Sequence, residues 1–327
     1  MNSFRTEIVG GRSDVPMQLK STILTQGSCF SDAIGRRLRA DKMNALANPF
    51  GVIYNPHSIH NILLRGVFNE PPPDHTFLQN QGLYLNYEVH SQFSSPRKET
   101  LSASLTNAIG SAHYFLKDCD WLILTYGTAF VYQRQDTGEI VANCHKVPAA
   151  AFSRTLQSVE DVLRSFDNLY THLIRFNPGI RIILTVSPVR HIKDTLALNS
   201  VSKSVLRLAC HEISGKFDAV EYFPAYELML DDLRDYRFYK SDMLHPSDDA
   251  EEYIWSKFQE RYFSDELRDF VRRWRTVRSA LAHRPFHPQS PAHQQFLRET
   301  LTKLEQFADI IDVESEMNDL KQQLQRS

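Results

Sequence analysis

Four apolar runs with little polar interruption mark the first two thirds of the chain. They are Ile23-Leu24-Thr25, Trp121-Leu122-Ile123-Leu124-Thr125-Tyr126, Arg181-Ile182-Ile183-Leu184-Thr185-Val186 and Ala219-Val220-Glu221-Tyr222-Phe223. Runs of this length without alternation suit strands covered on both faces. Helical spacing fills the gaps between them. Asn55 followed by Pro56 reads as an N-cap and first-turn proline before Ile59, Ile62 and Leu63. Ser158 with Asp161 reads as a capping pair before Val162, Phe166, Leu169 and Leu173. A further helix is expected over residues 195–216, with Leu198, Val201, Val205, Leu208 and Ile213 at helical spacing. Strands alternating with helices predict an α/β fold with a central parallel sheet wrapped by helices.

Two stretches depart from that rhythm. Residues 69–97 are rich in Pro, Asn, Gln and Ser, including Pro71-Pro72-Pro73, and read as an insert or lid with short strands near 82–90. After residue 262 the composition shifts to helix formers and charge, so residues 1–262 read as one domain and 263–327 as a helical extension. In the extension a helix is expected over 265–283, a break over 284–291 and one long helix from about Ala292. Along it, Ile310, Val313, Met317, Leu320 and Leu324 alternate by three and four. That stripe serves either packing on its own domain or a homodimer.

Composition narrows the classes of function. With 327 residues, 42% of them apolar, the chain can bury a sizeable core. A formal net charge of −2 supplies no basic field for nucleic acid. No stretch approaches the roughly 20 apolar residues that cross a bilayer, and residues 1–20 lack the apolar centre of a secretory signal. Cys29, Cys119, Cys144 and Cys210 are scattered without CxxC spacing, which argues against zinc and a disulfide framework and for a reducing cytoplasm. No metal or cofactor is expected.

The chemistry-bearing words sit at strand ends. Gly27-Ser28-Cys29-Phe30 follows the first strand and precedes a helix at 32–39. A hydroxyl there faces the crevice outside the carboxyl ends of a parallel sheet, beside helix N–H groups suited to an oxyanion. Asp242-Met243-Leu244-His245 offers an acid that can hold an imidazole as a base. Cys29 is not expected to be the nucleophile, because adjacent residues on such a turn point in different directions and free cysteine is usually buried.

In combination these words resemble the SGNH hydrolase superfamily. The local words Gly27-Ser28-Cys29-Phe30, residues 48–56, Thr125-Tyr126-Gly127-Thr128-Ala129, Asn143-Cys144-His145-Lys146, Ser187-Pro188-Val189-Arg190-His191 and Asp242-Met243-Leu244-His245-Pro246 resemble the GSCFA family within it. The resemblance implies a three-layer, flavodoxin-like fold with Ser28 as nucleophile, His245 as general base and Asp242 as its orienting acid. It places the oxyanion donors at the backbone N–H groups of Ser28 and Gly51. One departure stands out: the third block usually carries Gly-x-Asn, and this chain has Gly127-Thr128-Ala129. Losing such a donor costs roughly 3 kcal/mol. Either Thr128 or Asn143 replaces it, or both only shape their loops.

His145, Lys146, Arg190 and His191 follow the strand regions on the crevice side. They form either an anion-holding cluster for the substrate or a solvated rim. The resulting expectation is a serine-dependent hydrolase or acyltransferase acting on a small-molecule or glycan-linked acyl ester through an acyl-enzyme. The alternative is a ligand-binding module that keeps the fold without chemistry, favoured by the altered third block.

Overall fold

The apolar runs carry a second period, of two, that decides which helices cover which face. In the computed structural model, which describes residues 6–193 and 195–325, the chain begins with β1 (Thr22–Gly27), α1 (Cys29–Ala40), β2 (Asn44–Ala47) and α2 (Pro56–Phe68). It continues through β3 (Phe77–Asn80), β4 (Leu83–Asn86), α3 (Lys98–Lys117), β5 (Trp121–Tyr126), β6 (Phe130–Arg134), β7 (Ile140–Val141), β8 (Phe152–Leu156) and α4 (Val159–Phe176). Then come β9 (Arg181–Val186), α5 (Leu196–Lys216), β10 (Val220–Phe223), the short α6 (Ala225–Glu227), α7 (Asp248–Tyr262), α8 (Asp265–Leu281), α9 (Pro291–Glu305) and α10 (Glu314–Gln325).

Five parallel strands form the central sheet in the order β10-β9-β5-β1-β2. Pairing sets Leu24 beside Leu122 and Ile123 beside Ile183, and neighbours along each strand point to opposite faces. Ile23, Trp121, Ile123 and Ile183 join one apolar cluster with α1, α7 and the C-terminal helices. Leu24, Leu122, Leu124, Ile182 and Leu184 join another with α2, α3, α4 and α5. The result is the expected three-layer α/β sandwich.

Local signals place most helices. Asn55 Oδ1 accepts from the Ser58 N–H at 2.8 Å, and Ser158 and Asp161 form a reciprocal capping box. The stripe expected on α5 is corrected, however. Leu198, Val201 and Leu208 are 41%, 45% and 48% exposed, while the buried face carries Asn199, Ser202, Lys203, Leu206, Ala209, Cys210 and Ile213. Ile213 is buried and Val205 half-buried as expected, but apolar spacing marked the wrong side at Leu198, Val201 and Leu208, and the first half of α5 lies over polar loops instead of over strands.

Two accessory β units escape the periodicity. The hairpin β3-β4 lies within residues 69–97, slightly earlier than expected, and β7-β6-β8 forms a separate antiparallel sheet. The Ala142 N–H donates to Tyr87 O at 2.8 Å, tying the second unit to the insert. These strands are too short to stand out from loop sequence.

The C-terminal segment is also corrected. The single long helix is two, α9 and α10, separated by residues 306–313. Its stripe is used within the chain: Val313 and Leu320 are buried with Trp274, Leu297 and Leu304 in the cluster that includes Ile23 and Phe30. Trp274 Nε1 donates to Ala40 O at 2.8 Å, and Arg278 Nη1 donates to the buried Asp41 Oδ1 at 3.0 Å. Val313 and Leu320 of this stripe pack on the chain's own core, while Ile310 stays 44% exposed. Among the described residues no helix is long and apolar enough to cross a membrane.

Candidate active site

The turn after β1 determines which side chain reaches the crevice. Gly27 has φ of 150°, and a side-chain carbon there would lie 2.2 Å from Thr125 O, so only glycine lets the strand turn against β5. Asn48 fixes the turn: its Oδ1 accepts from the Gly27 N–H at 2.8 Å and its Nδ2 donates to Asp32 Oδ1 at 2.6 Å. Ser28 becomes the N-cap of α1 without making a side-chain capping bond. It is fully buried, and its Oγ has no hydrogen-bond partner. Cys29, the first helical residue, is partly exposed, and its Sγ lies 3.7 Å from His245 Nε2. The imidazole therefore meets the thiol of residue 29, where the sequence reading placed the hydroxyl of residue 28.

Asp242 and His245 come together as expected. Asp242 Oδ2 lies 2.6 Å from His245 Nδ1, while its Oδ1 accepts the N–H groups of Leu244 at 2.8 Å and His245 at 3.0 Å. Those two backbone donors, then the imidazole, hold the Asp242 carboxyl down at about 2. The loop is closed by the Lys240 N–H donating to His245 O at 2.8 Å. Arg190 braces it from β9's side. Its Nη1 donates to Met243 O at 3.3 Å, its backbone N–H to Leu244 O at 3.2 Å, and its guanidinium sits 4.0 Å over the Tyr239 ring.

Most of the other expected donors are engaged elsewhere. The Ser28 N–H donates to Thr125 O at 3.1 Å, and the Gly51 N–H to Asn48 O at 2.8 Å. Thr128 Oγ1 accepts from the Phe130 N–H at 3.1 Å and pairs with Ser202 Oγ at 3.1 Å. Asn143 Nδ2 donates to Ser91 Oγ at 3.2 Å, and its Oδ1 accepts from the His145 N–H at 2.8 Å. His145 is buried, with Nε2 at 2.7 Å from Asn86 O and Nδ1 at 3.0 Å from Ser91 Oγ, so it ties the β4 end of the insert. Lys146 is exposed beside it, at φ of 59°. His191 differs: its backbone N–H is held by Asn199 Oδ1 at 2.8 Å, but its buried Nε2 has no partner.

Sequence reasoning missed Lys203, which is 1% exposed. Its Nζ donates to Gly127 O and to Ser187 O, each at 2.7 Å, pinning the loops after β5 and β9 together. Ser202 Oγ accepts the Ala129 N–H at 2.7 Å beside it. The signal was present as Asn199, Ser202 and Lys203 at spacings of three and four, continued by Leu206 and Cys210. A polar stripe that runs into an apolar one on the same face marks a helix that crosses from loops to core.

Similarity to known proteins agrees with the local words. A model of the GSCFA family matches residues 22–258, and one of the GSCFA domain protein C-terminal domain matches residues 274–326. The chain belongs to the GSCFA family. No curated protein matches this GSCFA chain significantly. Among solved structures it is similar to a protein from Streptococcus pneumonia provisionally described as a platelet activating factor, with 16% identity, 74% of this chain and 83% of that chain covered, and a TM-score of 0.39. It is also similar to an acetyl xylan esterase, Est2A, from the rumen bacterium Butyrivibrio proteoclasticus, with 12% identity, 80% and 67% covered, and a TM-score of 0.39.

The electrostatics of the GSCFA thiol follow from its setting. Burial raises the Cys29 thiol above its ordinary value and the Asp32 carboxylate adds to the rise, whereas the N–H groups of Cys29 and Phe30 and the Lys203 ammonium oppose it. The resting thiol thus keeps its proton and needs a base to react. Its neighbour His245, held by Asp242, is oriented to take that proton. Burial also lowers Lys203 to about 7, so its charge beneath the crevice is sensitive to pH near neutrality.

Proposed function

We propose that this GSCFA protein is a thiol-dependent acyl hydrolase or acyltransferase, with Cys29 as nucleophile, His245 as general base and Asp242 as the acid that orients it. The observation that carries the reading is the 3.7 Å approach of Cys29 Sγ to His245 Nε2, beside a Ser28 hydroxyl that is buried and bonded to nothing. In the reaction His245 removes the thiol proton while sulfur attacks the acyl carbonyl carbon. The tetrahedral oxyanion collapses, the bond to the leaving oxygen breaks, and the imidazolium returns its proton to that oxygen. A thioester on Cys29 remains. Water or another hydroxyl, deprotonated by the same imidazole, then releases the acyl group and restores the thiol. Both acceptors use one thioester, so hydrolysis and transfer share this machinery.

The acyl donor is a small-molecule or glycan-linked ester in this reading, and the setting is cytoplasmic. Four unpaired cysteines, including the proposed nucleophile, support a reducing compartment.

The test is acylation by p-nitrophenyl acetate, followed by release of p-nitrophenolate and by the mass of the acetylated protein. Cys29→Ala should lose acylation by about 10³-fold or more, while Ser28→Ala keeps it within tenfold. Retained acylation in Cys29→Ala together with its loss in Ser28→Ala would overturn the assignment. A second reading, ligand holding without chemistry, is favoured by one observation: the Ser28 and Gly51 N–H groups are both engaged. Wild-type protein that is never acetylated, by this ester or by an acyl thioester, would support it.

A further inference from the structure

The two N–H groups assigned to the oxyanion from the sequence, those of Ser28 and Gly51, are engaged, and one side chain stands beside the third-block loop, from which the missing asparagine amide would project. His191 Nε2 is buried and unpartnered. A polar atom left so costs roughly 1–3 kcal/mol, and this one is a ring nitrogen free to donate or accept beside the third-block loop. The ring is not loose. Its backbone is tied to Asn199 on α5 by the 2.8 Å bond, and it packs edge-on against Tyr54 with ring centroids 5.1 Å apart at 76°.

The nitrogen also points to the informative place. A side-chain carbon at Gly127 would lie 3.0 Å from His191 Nε2 and 3.1 Å from Tyr54 Cδ1. Gly127 is the glycine of the third block, whose usual asparagine is Ala129 in this chain, fully buried and apolar. The free nitrogen therefore stands against the same loop from which the missing amide would project. Thr128, the nearest polar side chain of that loop, is engaged with Ser202 and Phe130. Asn143 is engaged in the insert.

The protonation state suits a neutral donor. Burial, and then electrostatic repulsion from Lys203 and His245, lower His191 to about 3, so it stays uncharged through the reaction. A neutral imidazole can polarise a carbonyl oxygen without adding a charge that would repel the developing imidazolium of His245.

We propose that His191, through a protonated Nε2, donates the hydrogen bond that stabilises the oxyanion formed when Cys29 attacks, in place of the absent third-block asparagine. This assignment rests on the thiol reading above, and its test separates the two. Alkylation of Cys29 by iodoacetamide forms no oxyanion, whereas acylation by p-nitrophenyl acetate does. In His191→Phe the alkylation rate should stay within twofold of wild type, while the acylation rate falls about 100-fold to 1,000-fold. His191→Gln, which can offer an amide N–H from the same place, should recover at least tenfold of that loss.

Acylation within threefold of wild type in His191→Phe would overturn the proposal. So would an equal fall in alkylation and acylation in both variants, which would make His191 a purely structural support. Failure of the thiol reading looks different: Cys29→Ala would still be acetylated, or alkylation of residue 29 would not depend on His245, whatever residue 191 carries.

Discussion

His145 and His191 stand in similar words, each after a polar or proline-bearing turn near the crevice side of the sheet, yet their surroundings diverge. Both ring nitrogens of His145 have partners, Asn86 O and Ser91 Oγ, and the residue holds the insert together. His191 has a buried Nε2 with none. A different contrast separates the two residues of the turn after β1. Ser28 is sealed away, whereas Cys29 reaches the imidazole. Within one site, then, residue type does not distinguish chemistry from scaffolding. What separates His191 from His145 is a ring nitrogen that the fold leaves unpaired, and what separates Cys29 from Ser28 is which side chain reaches the imidazole.

The comparison can be broken first at the base. His245→Ala should slow acylation by about 10³-fold, because the thiol keeps its proton without that imidazole. Since burial raises Cys29, the residual alkylation rate of this variant should continue to climb with pH beyond the ordinary thiol range. A rate that levels off near neutral pH would show an ion pair that needs no base. Next comes the brace. Arg190→Ala removes the guanidinium from Met243 O and the Tyr239 ring while keeping the backbone bond to Leu244 O, and acylation should fall about 10-fold to 100-fold through misplacement of His245. The loss should appear in kcat more than in KM; the reverse split would mean that Arg190 binds substrate.

A smaller catalytic effect is expected in the insert. His145→Ala should leave acylation within about twofold while lowering stability by roughly 1–3 kcal/mol, read from urea unfolding, because the buried Asn86 O and the Ser91 hydroxyl lose their bonds. An acylation loss beyond tenfold with unchanged stability would move His145 into the site. Smallest is a pH effect on stability. His60 is fully buried between Tyr126 OH at 2.6 Å and Ser165 Oγ at 2.8 Å, and burial lowers it to about 3. The folded state binds its proton less readily than the unfolded chain, whose histidines titrate near ~6.5. Its contribution is complete above that pH and is lost as pH falls toward about 3. His60→Gln should therefore show a shallower decline of Tm between about pH 6.5 and 4 than wild type. Parallel curves would remove His60 as a source of acid sensitivity.

Much of this architecture could be read from local signals, and its failures have a common cause. The runs at 121–126 and 181–186 coincide with β5 and β9, because β-rich apolar stretches between turns have few other uses. Asn55 and Ser158 cap the helices they were expected to cap, since capping is settled within four residues. The pairing of Asp242 with His245 is equally local. By contrast, Leu198, Val201 and Leu208 show that helical spacing of apolar residues identifies a face but not what covers it. The break at 306–313 likewise arises because Phe307 and Val313 must both enter the cluster around Trp274, which a straight helix would prevent.

The sequence by itself determined the α/β layering, the membership of the chain in its family and the loops that carry the reactive words. Those properties depend on period, capping and short motifs, all of which are contained in neighbouring residues. Only the tertiary structure decided that the thiol of Cys29 meets His245, that Lys203 pins the loops after β5 and β9, and that His191 keeps a nitrogen free. Each depends on the direction of a side chain relative to elements tens or hundreds of residues away, and that direction is set by how the turn after β1 packs against β5, Asn48 and α5.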